Sequence, residues 1–334
     1  MFDQKSGVRV LLTGAAGLVG QSLLRLLPPD SVVALVHRSR DGIPAETQIL
    51  QGDVTQPYFG IGAEGLKALG EIDVVIHAAA VTDLASAHRQ FSQTNVRGAE
   101  SALQVASLLN AKLCHVSTAF VHNQEEDSDE DSYINSKLKA EQTVARSGVD
   151  HAIVRPSIVI GNSRDGITPA QQGFHRILRM FIQGRLPIVV VDDTMLLDFV
   201  PNDVVARSIL AAATGEIGER ELWLTAGQQA LRIADVVDEC LDQSKRLLQD
   251  APRETRVVSQ EMYARLIEPV FLPQLSLVHQ NLVRAAKHLF EFFPIKEPFP
   301  SSYPLQTAEQ ATIALPAIME TLTANLQSLA AQRA

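Results

Sequence analysis

Short apolar runs separated by turn residues dominate the first 160 or so positions of this chain. Val8-Arg9-Val10-Leu11-Leu12 is mostly apolar and β-branched at its start, which predicts a short buried strand. Thr13-Gly14-Ala15-Ala16-Gly17-Leu18-Val19-Gly20 follows, and an apolar period through Leu23, Leu24 and Leu27 then predicts a helix that stops at Pro28-Pro29. The alternation recurs. Ser31-Val32-Val33-Ala34-Leu35-Val36 reads as a second strand, and Leu50-Gln51-Gly52-Asp53-Val54 as the end of a third. Asp73-Val74-Val75-Ile76 reads as a fourth, running into His77-Ala78-Ala79-Ala80, and Leu113-Cys114-His115-Val116-Ser117 as a further one.

After Arg155-Pro156 the regular alternation gives way to longer helical and irregular pieces. Residues 173–183 predict an amphipathic helix, Pro187-Ile188-Val189-Val190-Val191 a strand, and Leu222-Trp223-Leu224 another. Residues 233–248 predict a helix with Val236, Val237, Cys240 and Leu247 on or near its apolar face. Residues 262–299 are rich in Leu and Phe, interleaved with prolines and basic residues. They fit a helical lobe packed on the core, an apolar acyl pocket, or a surface touching membrane or carrier protein. The tail after Thr307 has an Ala/Leu-rich helix pattern. The expected division is 1–160 and 161–334, interleaved around 185–230.

The glycine segment lies between a predicted strand and a predicted helix, the setting that a dinucleotide site needs. Gly14 permits the tight turn, Gly17 lets backbone approach a pyrophosphate, and Gly20 allows close helix–strand packing. The N–H groups at the start of the next helix, at Leu18 and Val19, face the phosphates. The spacing is Gly-x-x-Gly-x-x-Gly, one residue longer at the front than the Gly-x-Gly-x-x-Gly fingerprint. The second strand ends in His37-Arg38-Ser39-Arg40, with no acid before Asp41. An acid there would serve the ribose hydroxyls of NAD, whereas an arginine accommodates a 2′-phosphate. Arg38 therefore points to NADPH, with His37 and Arg40 as lesser candidates, against a plain solvated basic turn.

Tyr133 and Lys137 stand four residues apart and share a face if the segment is helical. An ammonium beside a phenol favours the phenolate, so Tyr133 is expected below its ordinary pKa of about 10 and able to exchange a proton near neutral pH. Alone, the spacing is better explained by a surface helix with a snorkelling lysine. The glycine loop changes that balance.

Taken with Asp53-Val54, His77-Ala78-Ala79-Ala80, Asn95-Val96-Arg97-Gly98, Ser117-Thr118 and Arg155-Pro156-Ser157, these motifs occur in an order that resembles the extended short-chain dehydrogenase/reductase family. Gly52-Asp53-Val54-Thr55-Gln56-Pro57-Tyr58-Phe59-Gly60-Ile61 and Leu197-Asp198-Phe199-Val200-Pro201-Asn202-Asp203 resemble, within it, the thioester reductase and fatty acyl-CoA reductase group. The resemblance implies an α/β fold, a doubly wound Rossmann-type parallel sheet with a smaller, mainly helical C-terminal substrate lobe. It implies Tyr133 as the acid, Lys137 as its partner and a ligand of the nicotinamide ribose, and Thr118 as the substrate-orienting hydroxyl with Ser117 in reserve. Asn95 matches the family's supporting asparagine, and equally fits a helix-start cap at Thr94-Asn95. Asp53, Val54, Ala78, Ala79, Ala80, Pro156, Ser157 and Ile158 are expected beside the cofactor, together with Tyr133 and Lys137.

The expected activity is NADPH-dependent reduction of an acyl thioester, on CoA or a carrier protein, to the aldehyde; whether a second turn carries it to the alcohol is left open by the sequence. The same catalytic set serves oxidoreductases and epimerases of ketones, steroids and nucleotide sugars. A non-catalytic NADPH-binding sensor is a third option, and homodimer pairing stays open.

A formal charge of −9 over 334 residues gives no support for nucleic-acid or anionic-membrane binding by the molecule as a whole. Two cysteines, Cys114 and Cys240, make no disulfide framework, so reduced thiols and a cytoplasmic location are expected. No signal-peptide layout and no bilayer-spanning apolar run are seen. The acidic stretch 125–131 lacks the ligand spacing of a calcium loop and reads as a solvated loop. His77, His115, His122 and His151 are scattered, and no metal is expected.

Overall fold

The computed structural model describes residues 7–82, 91–123, 132–171, 173–186, 188–192, 194–247, 255–308 and 311–331. The acidic stretch 125–131 lies outside these, as does Pro187. The chain forms two compact units. The first runs to Ser157 and adds Asn202–Thr225 and Ser301–Leu315.

That unit holds a seven-stranded, wholly parallel sheet. Its strands are β1 (Val10–Thr13), β2 (Val32–Val36), β3 (Gln48–Gln51), β4 (Val74–His77), β5 (Lys112–Val116), β6 (His151–Pro156) and Glu221–Leu224. Their order is Glu221–Leu224, β6, β5, β4, β1, β2, β3. β1, β2 and β4 are buried along their whole length, which is why they read as continuous apolar runs rather than alternations. β3, at the edge, is only partly buried.

Among the described residues this unit has the α-helices α1 (Leu18–Leu24), α2 (Ala63–Lys67), α3 (Arg97–Leu109), α4 (Tyr133–Ala145) and Asn202–Thr214. On one face of the sheet Leu11, Val33, Val75, Leu113 and Ile153 pack with Ala99, Ala102, Val105 and Ala106 of α3 and with Ala140 and Val144 of α4. Each fully buried Leu, Ile or Val contributes about 1.5–3 kcal/mol, and the alanines let α3 lie close to the strands. The Asn202–Thr214 helix meets the other face, where Lys112 Nζ donates to the Ala212 carbonyl at 2.6 Å. Strand order reverses direction between β1 and β4, and the loops leaving their carboxyl ends part there, the place where open α/β sheets bind ligands. The glycine loop follows β1 and the alanine run follows β4.

The second unit comprises Ile158–Pro201, Ala226–Pro300 and Pro316–Ala334. It contains the helices Gly173–Ile182, Ile233–Leu247, Leu277–Phe292 and Ile318–Ala331, a π-type stretch Tyr263–Phe271 and short strand pairs. The Asp198 carboxylate accepts the N–H groups of Ala226 and Gly227 at 2.7 and 3.0 Å, which gives the aspartate of the 197–203 motif a structural job. The tail differs from its expected helix. Leu305–Gln306 pairs with Thr312–Ile313, and the helix begins only at Ile318, because Pro316 lacks an N–H and biases Leu315 away from helix.

Within 262–299, Tyr263, Ile267, Leu272 and Val283 pack with Val190 and Val258. Met262, Leu266, Val270 and Phe271 are instead 44–49% exposed, and Leu277 and Val278 are 74% and 68% exposed. Packing on the core accounts for one face of the segment only.

Candidate active site

The loop after β1 is built so that backbone meets backbone. Gly14 has φ +72°, and a Cβ on it would lie 2.6 Å from the Ala78 carbonyl carbon and the Ala79 nitrogen. A Cβ on Gly20 would run into the Gly14 carbonyl oxygen. Gly17, exposed and extended, precedes α1 and donates its N–H to Gly14 O at 2.9 Å. Leu18 is buried beneath the loop and Val19 half-buried. Thr13 Oγ1 accepts the Ala79 N–H at 3.2 Å and shares a 2.9 Å hydrogen bond with His77 Nδ1, tying the two loops together. The result is a turn in which backbone packs on backbone at Gly14 and Gly20, which fits a pyrophosphate.

Behind this turn the rings of His77 and His115 stack with centroids 5.6 Å apart. Burial, seconded by the charge of Lys137, pushes His77 down to about 3. Burial and the neighbouring charges of Lys137, His77, Arg155 and His151 push His115 well below its ordinary range. Both rings are therefore neutral near pH 7. Gly98 explains its place in the Asn-Val-Arg-Gly motif, since a Cβ there would press the His77 ring at 3.3 Å.

At the end of β2, His37 and Arg38 are exposed. His37 Nε2 lies 3.8 Å from Asp53 Oδ2. Burial alone would raise the Asp53 pKa, but the Thr55 N–H and hydroxyl, with the charges of His37 and Arg38, hold it below the usual carboxylate value. Val54 packs against the core cluster under α3. The Pro57–Gly60 turn places Tyr58 and Phe59 at φ 52° and 57°, and Phe59, fully buried, donates its N–H to Ser101 Oγ at 3.0 Å. Two non-glycine residues in the left-handed region show how firmly this motif is held on α3.

Tyr133 opens α4, whose cap Ser132 accepts the Asn135 N–H at 3.2 Å. The Tyr133 hydroxyl hydrogen-bonds the Thr118 side chain, and Phe91 meets the Tyr133 ring edge-on at 5.9 Å. Lys137, only 2% exposed, donates from Nζ to the Val116 carbonyl at 2.7 Å. The expected lowering of the Tyr133 pKa is not what the structure shows. Burial pushes the phenol up to about 12, opposed only by the Thr118 hydrogen bond. Burial also pushes Lys137 down to about 8, opposed by Glu141. The ammonium is engaged by a backbone carbonyl, and the phenol is desolvated, so spacing along the helix does not translate into a phenolate.

Asn95 is not a helix cap. It sits in the π-type turn Ser92–Val96 before α3, where Oδ1 accepts the Val81 N–H at 2.9 Å. Its Nδ2 donates to Ser136 Oγ at 2.9 Å and to Val81 O at 3.3 Å. Such widened turns recur at functional sites because they re-aim a side chain. Ser136 Oγ in turn donates to the Tyr133 carbonyl at 2.6 Å. The loop after β4, the helix carrying Asn95 and the helix carrying Tyr133 are thus joined through one amide. Pro156 ends β6 and Ser157 follows it, both buried, while Ile158 opens a strand of the second unit. Among the described residues the buried Ser117 and Ser157 hydroxyls have no hydrogen-bond partner.

Sequence reasoning did not single out Ser136, Glu141 or the ion pair between Glu141 and Arg155. A signal was present, since Tyr133, Lys137 and Glu141 fall at steps of four along a helix otherwise packed on the core. No group of three or more His, Cys, Asp or Glu among the described residues is arranged to hold a metal ion.

The sheet, its reversal point, the glycine turn and the Tyr–Lys helix define a protein of the extended short-chain dehydrogenase/reductase class. The NAD-binding family described as male sterility protein matches residues 34–209, and the chain belongs to it. The hybrid PKS-NRPS synthetase poxE of Penicillium oxalicum is 30% identical over 128 residues, covering 36% of this chain and 3% of that protein. Fatty acyl-CoA reductase 1 of Homo sapiens is 25% identical over 280 residues, covering 62% of this chain and 54% of that protein. The chain thus spans about half, or far less, of the length of these curated relatives. The crystal structure of the terminal R domain from the myxalamid PKS-NRPS biosynthetic pathway superposes with a TM-score of 0.71 at 21% identity. It covers 97% of this chain and 91% of that one, a likeness of fold.

Proposed function

We propose that the chain is an NADPH-dependent reductase that takes an acyl thioester, carried by CoA or a carrier protein, to the aldehyde, with a second round giving the alcohol. The observation that carries this reading is the Thr118–Tyr133 hydrogen bond beside the glycine turn, in a chain of the male sterility family. Thr13, Gly14, Gly17, Leu18, Val19 and Gly20 would hold the pyrophosphate, with Ala78, Ala79 and Ala80 alongside, and Arg38 the 2′-phosphate. When bound, the reduced nicotinamide supplies a hydride to the thioester carbonyl carbon.

The side chains supply the rest. The carbonyl oxygen becomes negative as the hydride arrives, and the hydroxyls of Tyr133 and Thr118 donate to it. A phenol held at about 12 stays protonated at neutral pH, as a proton donor must. Lys137 would hold the nicotinamide ribose with its buried ammonium, and Asn95 keeps the helix carrying Tyr133 in place. The hemithioacetal then collapses to aldehyde and thiol. Cys114 and Cys240 are both free and buried, and no helix among the described residues is long and apolar enough to cross a membrane. A cytoplasmic location is part of the proposal, as is an approach of the acyl carrier or lipid surface over Met262, Leu266, Val270 and Phe271.

Purified protein mixed with NADPH and panels of acyl-CoAs, aldehydes, ketones and nucleotide sugars tests this. Loss of reduced cofactor with release of thiol is the expected result. Turnover of ketones or sugars alone would overturn it, and tight NADPH binding without any turnover would make the chain a sensor.

A further inference from the structure

In the first unit, four charged side chains of alternating sign run from the buried middle of α4 to the outermost strand of the sheet: Lys137, Glu141, Arg155 and Glu221. Lys137 and Glu141 lie one turn apart on α4 and are 2% and 4% exposed. Arg155, on β6, clamps Glu141 with two nitrogens. Its Nε donates to both carboxylate oxygens at 3.0 and 3.1 Å, and its Nη2 to Oε2 at 2.7 Å. The third nitrogen, Nη1, lies 2.9 Å from Glu221 Oε2, whose side chain is 57% exposed. The guanidinium also rests on the Trp223 ring, 4.7 Å from its centroid.

A buried ion pair this well formed is weak evidence for a contribution to stability, because desolvation offsets most of the attraction. It does fix geometry, since a planar fork on a carboxylate leaves that carboxylate a single orientation. We propose that Glu141 is a positioning residue for the hydride-transfer site, its carboxylate, oriented by Arg155, keeping the Lys137 ammonium charged and seated on the Val116 carbonyl. The use made of the ammonium rests on the reductase reading. The arrangement itself does not.

The titratable groups packed around Lys137 are Tyr133 and Glu141 on α4, His77 on β4 and His115 on β5, with Arg155 on β6 behind them. The histidines are neutral and the phenol is protonated, so Glu141 supplies the negative charge and Arg155 the second positive one. Removing the Glu141 charge takes away the anion one turn from Lys137 and lowers the Lys137 pKa. Removing the Arg155 charge raises it. A pair that serves only to hold the fold would cost stability either way and leave the lysine where it was.

The test is nuclear magnetic resonance of protein labelled with 15N-lysine, following the Lys137 Nζ signal against pH. Lys137→Arg identifies the signal by deleting it. The wild-type midpoint is expected near 8. Glu141→Gln should lower it by on the order of one pH unit, and Arg155→Gln should raise it. Breaking a buried pair is strongly destabilising, so two further variants keep the test decisive if either of these does not fold. Glu141→Gln/Arg155→Gln leaves no unpaired buried charge, and its midpoint should fall between wild type and Glu141→Gln. Glu221→Gln, at the exposed end, should lower the midpoint by about a few tenths of a unit. Midpoints that stay together across the folded variants overturn the proposal. The readout uses no substrate, so a failed thioester assay with shifted midpoints removes the reductase reading alone. Unmoved midpoints with normal thiol release remove this inference alone.

Discussion

The two units place their polar and apolar groups in opposite ways. At the carboxyl edge of the parallel sheet, several buried polar side chains meet one another or backbone, as in Thr13 with His77, Asn95 with Val81 and Ser136, and Lys137 with Val116, while the Ser117 and Ser157 hydroxyls have no hydrogen-bond partner among the described residues. In the second unit, the π-type stretch and the start of the following helix push Leu266, Val270, Phe271, Leu277 and Val278 out of their core. Burying polar groups costs free energy unless they find partners, so the groups that are paired here have few alternative arrangements, which suits fixed chemistry. Exposing apolar groups costs free energy too, and it suits a surface that meets something apolar.

The comparison breaks most visibly at Tyr133. Tyr133→Phe deletes one hydroxyl from a half-buried side chain and should lower turnover by about 10²–10⁴-fold while leaving NADPH affinity within about twofold. Steady-state rates together with cofactor titration check this. A variant that keeps near-wild-type turnover removes Tyr133 as proton donor, and the edge of the sheet loses its claim to the chemistry.

Neighbouring positions in the second unit offer the next contrast. Ile267 is 8% exposed and Leu266 is 44% exposed, one residue apart. Ile267→Ala should cost about 2–5 kcal/mol in urea unfolding. Leu266→Ser should stay within about 0.5 kcal/mol yet weaken use of long acyl chains. Equal stability costs would mean that the outward face is packed after all.

Arg38 sharpens the first half of the comparison, because it is a polar group left outside. It lies exposed two residues beyond β2, so Arg38→Ala should leave stability unchanged and raise the NADPH Kd by about 10–100-fold. NADH binding should stay nearly level. Equal effects on both cofactors would reject the 2′-phosphate assignment.

The parts of this design that could be read from sequence share a physical reason. β1, β2 and β4 are buried on both faces, so their apolar runs are unbroken, and the glycine loop is visible because positions 14 and 20 admit no Cβ. Tyr133 and Lys137 are legible as helix neighbours. What they bond to is not, since the Val116 carbonyl and the Thr118 hydroxyl come from β5 and the loop after it. Asn95 misleads in the same way, because a widened turn leaves no mark on residue spacing. Glu141 and Arg155 are joined across a helix and a strand, and only the step of four from Lys137 hinted at the carboxylate. In 262–271 apolar residues occur on every side of the helix, as Leu266-Ile267 and Val270-Phe271 illustrate, so periodicity could not say which face is outward.

Acid destabilisation tests both units together. His77 is held at about 3 and His175, in the second unit, at about 4, in both cases first by burial, and His115 lies well below its ordinary value. The unfolded chain protonates these rings near 6.5. Between that value and the folded pKa the unfolded state binds protons that the folded state does not, so stability falls as pH falls. Each ring contributes up to about 1.4 kcal/mol per pH unit in that window. Urea unfolding between about pH 6 and 4.5, above the range where most carboxylates titrate, should show proton uptake approaching three if the units unfold together. If they unfold separately, the transition of the sheet unit should carry about two protons and that of the other unit about one. His115→Gln should remove close to one proton from the first value and none from the second. A slope that His115→Gln leaves unchanged would mean that the His77–His115 stack is protonated in the folded protein. The polar edge of the sheet would then be a charged site rather than a neutral one, and the contrast between the units would have to be redrawn around a buried cation.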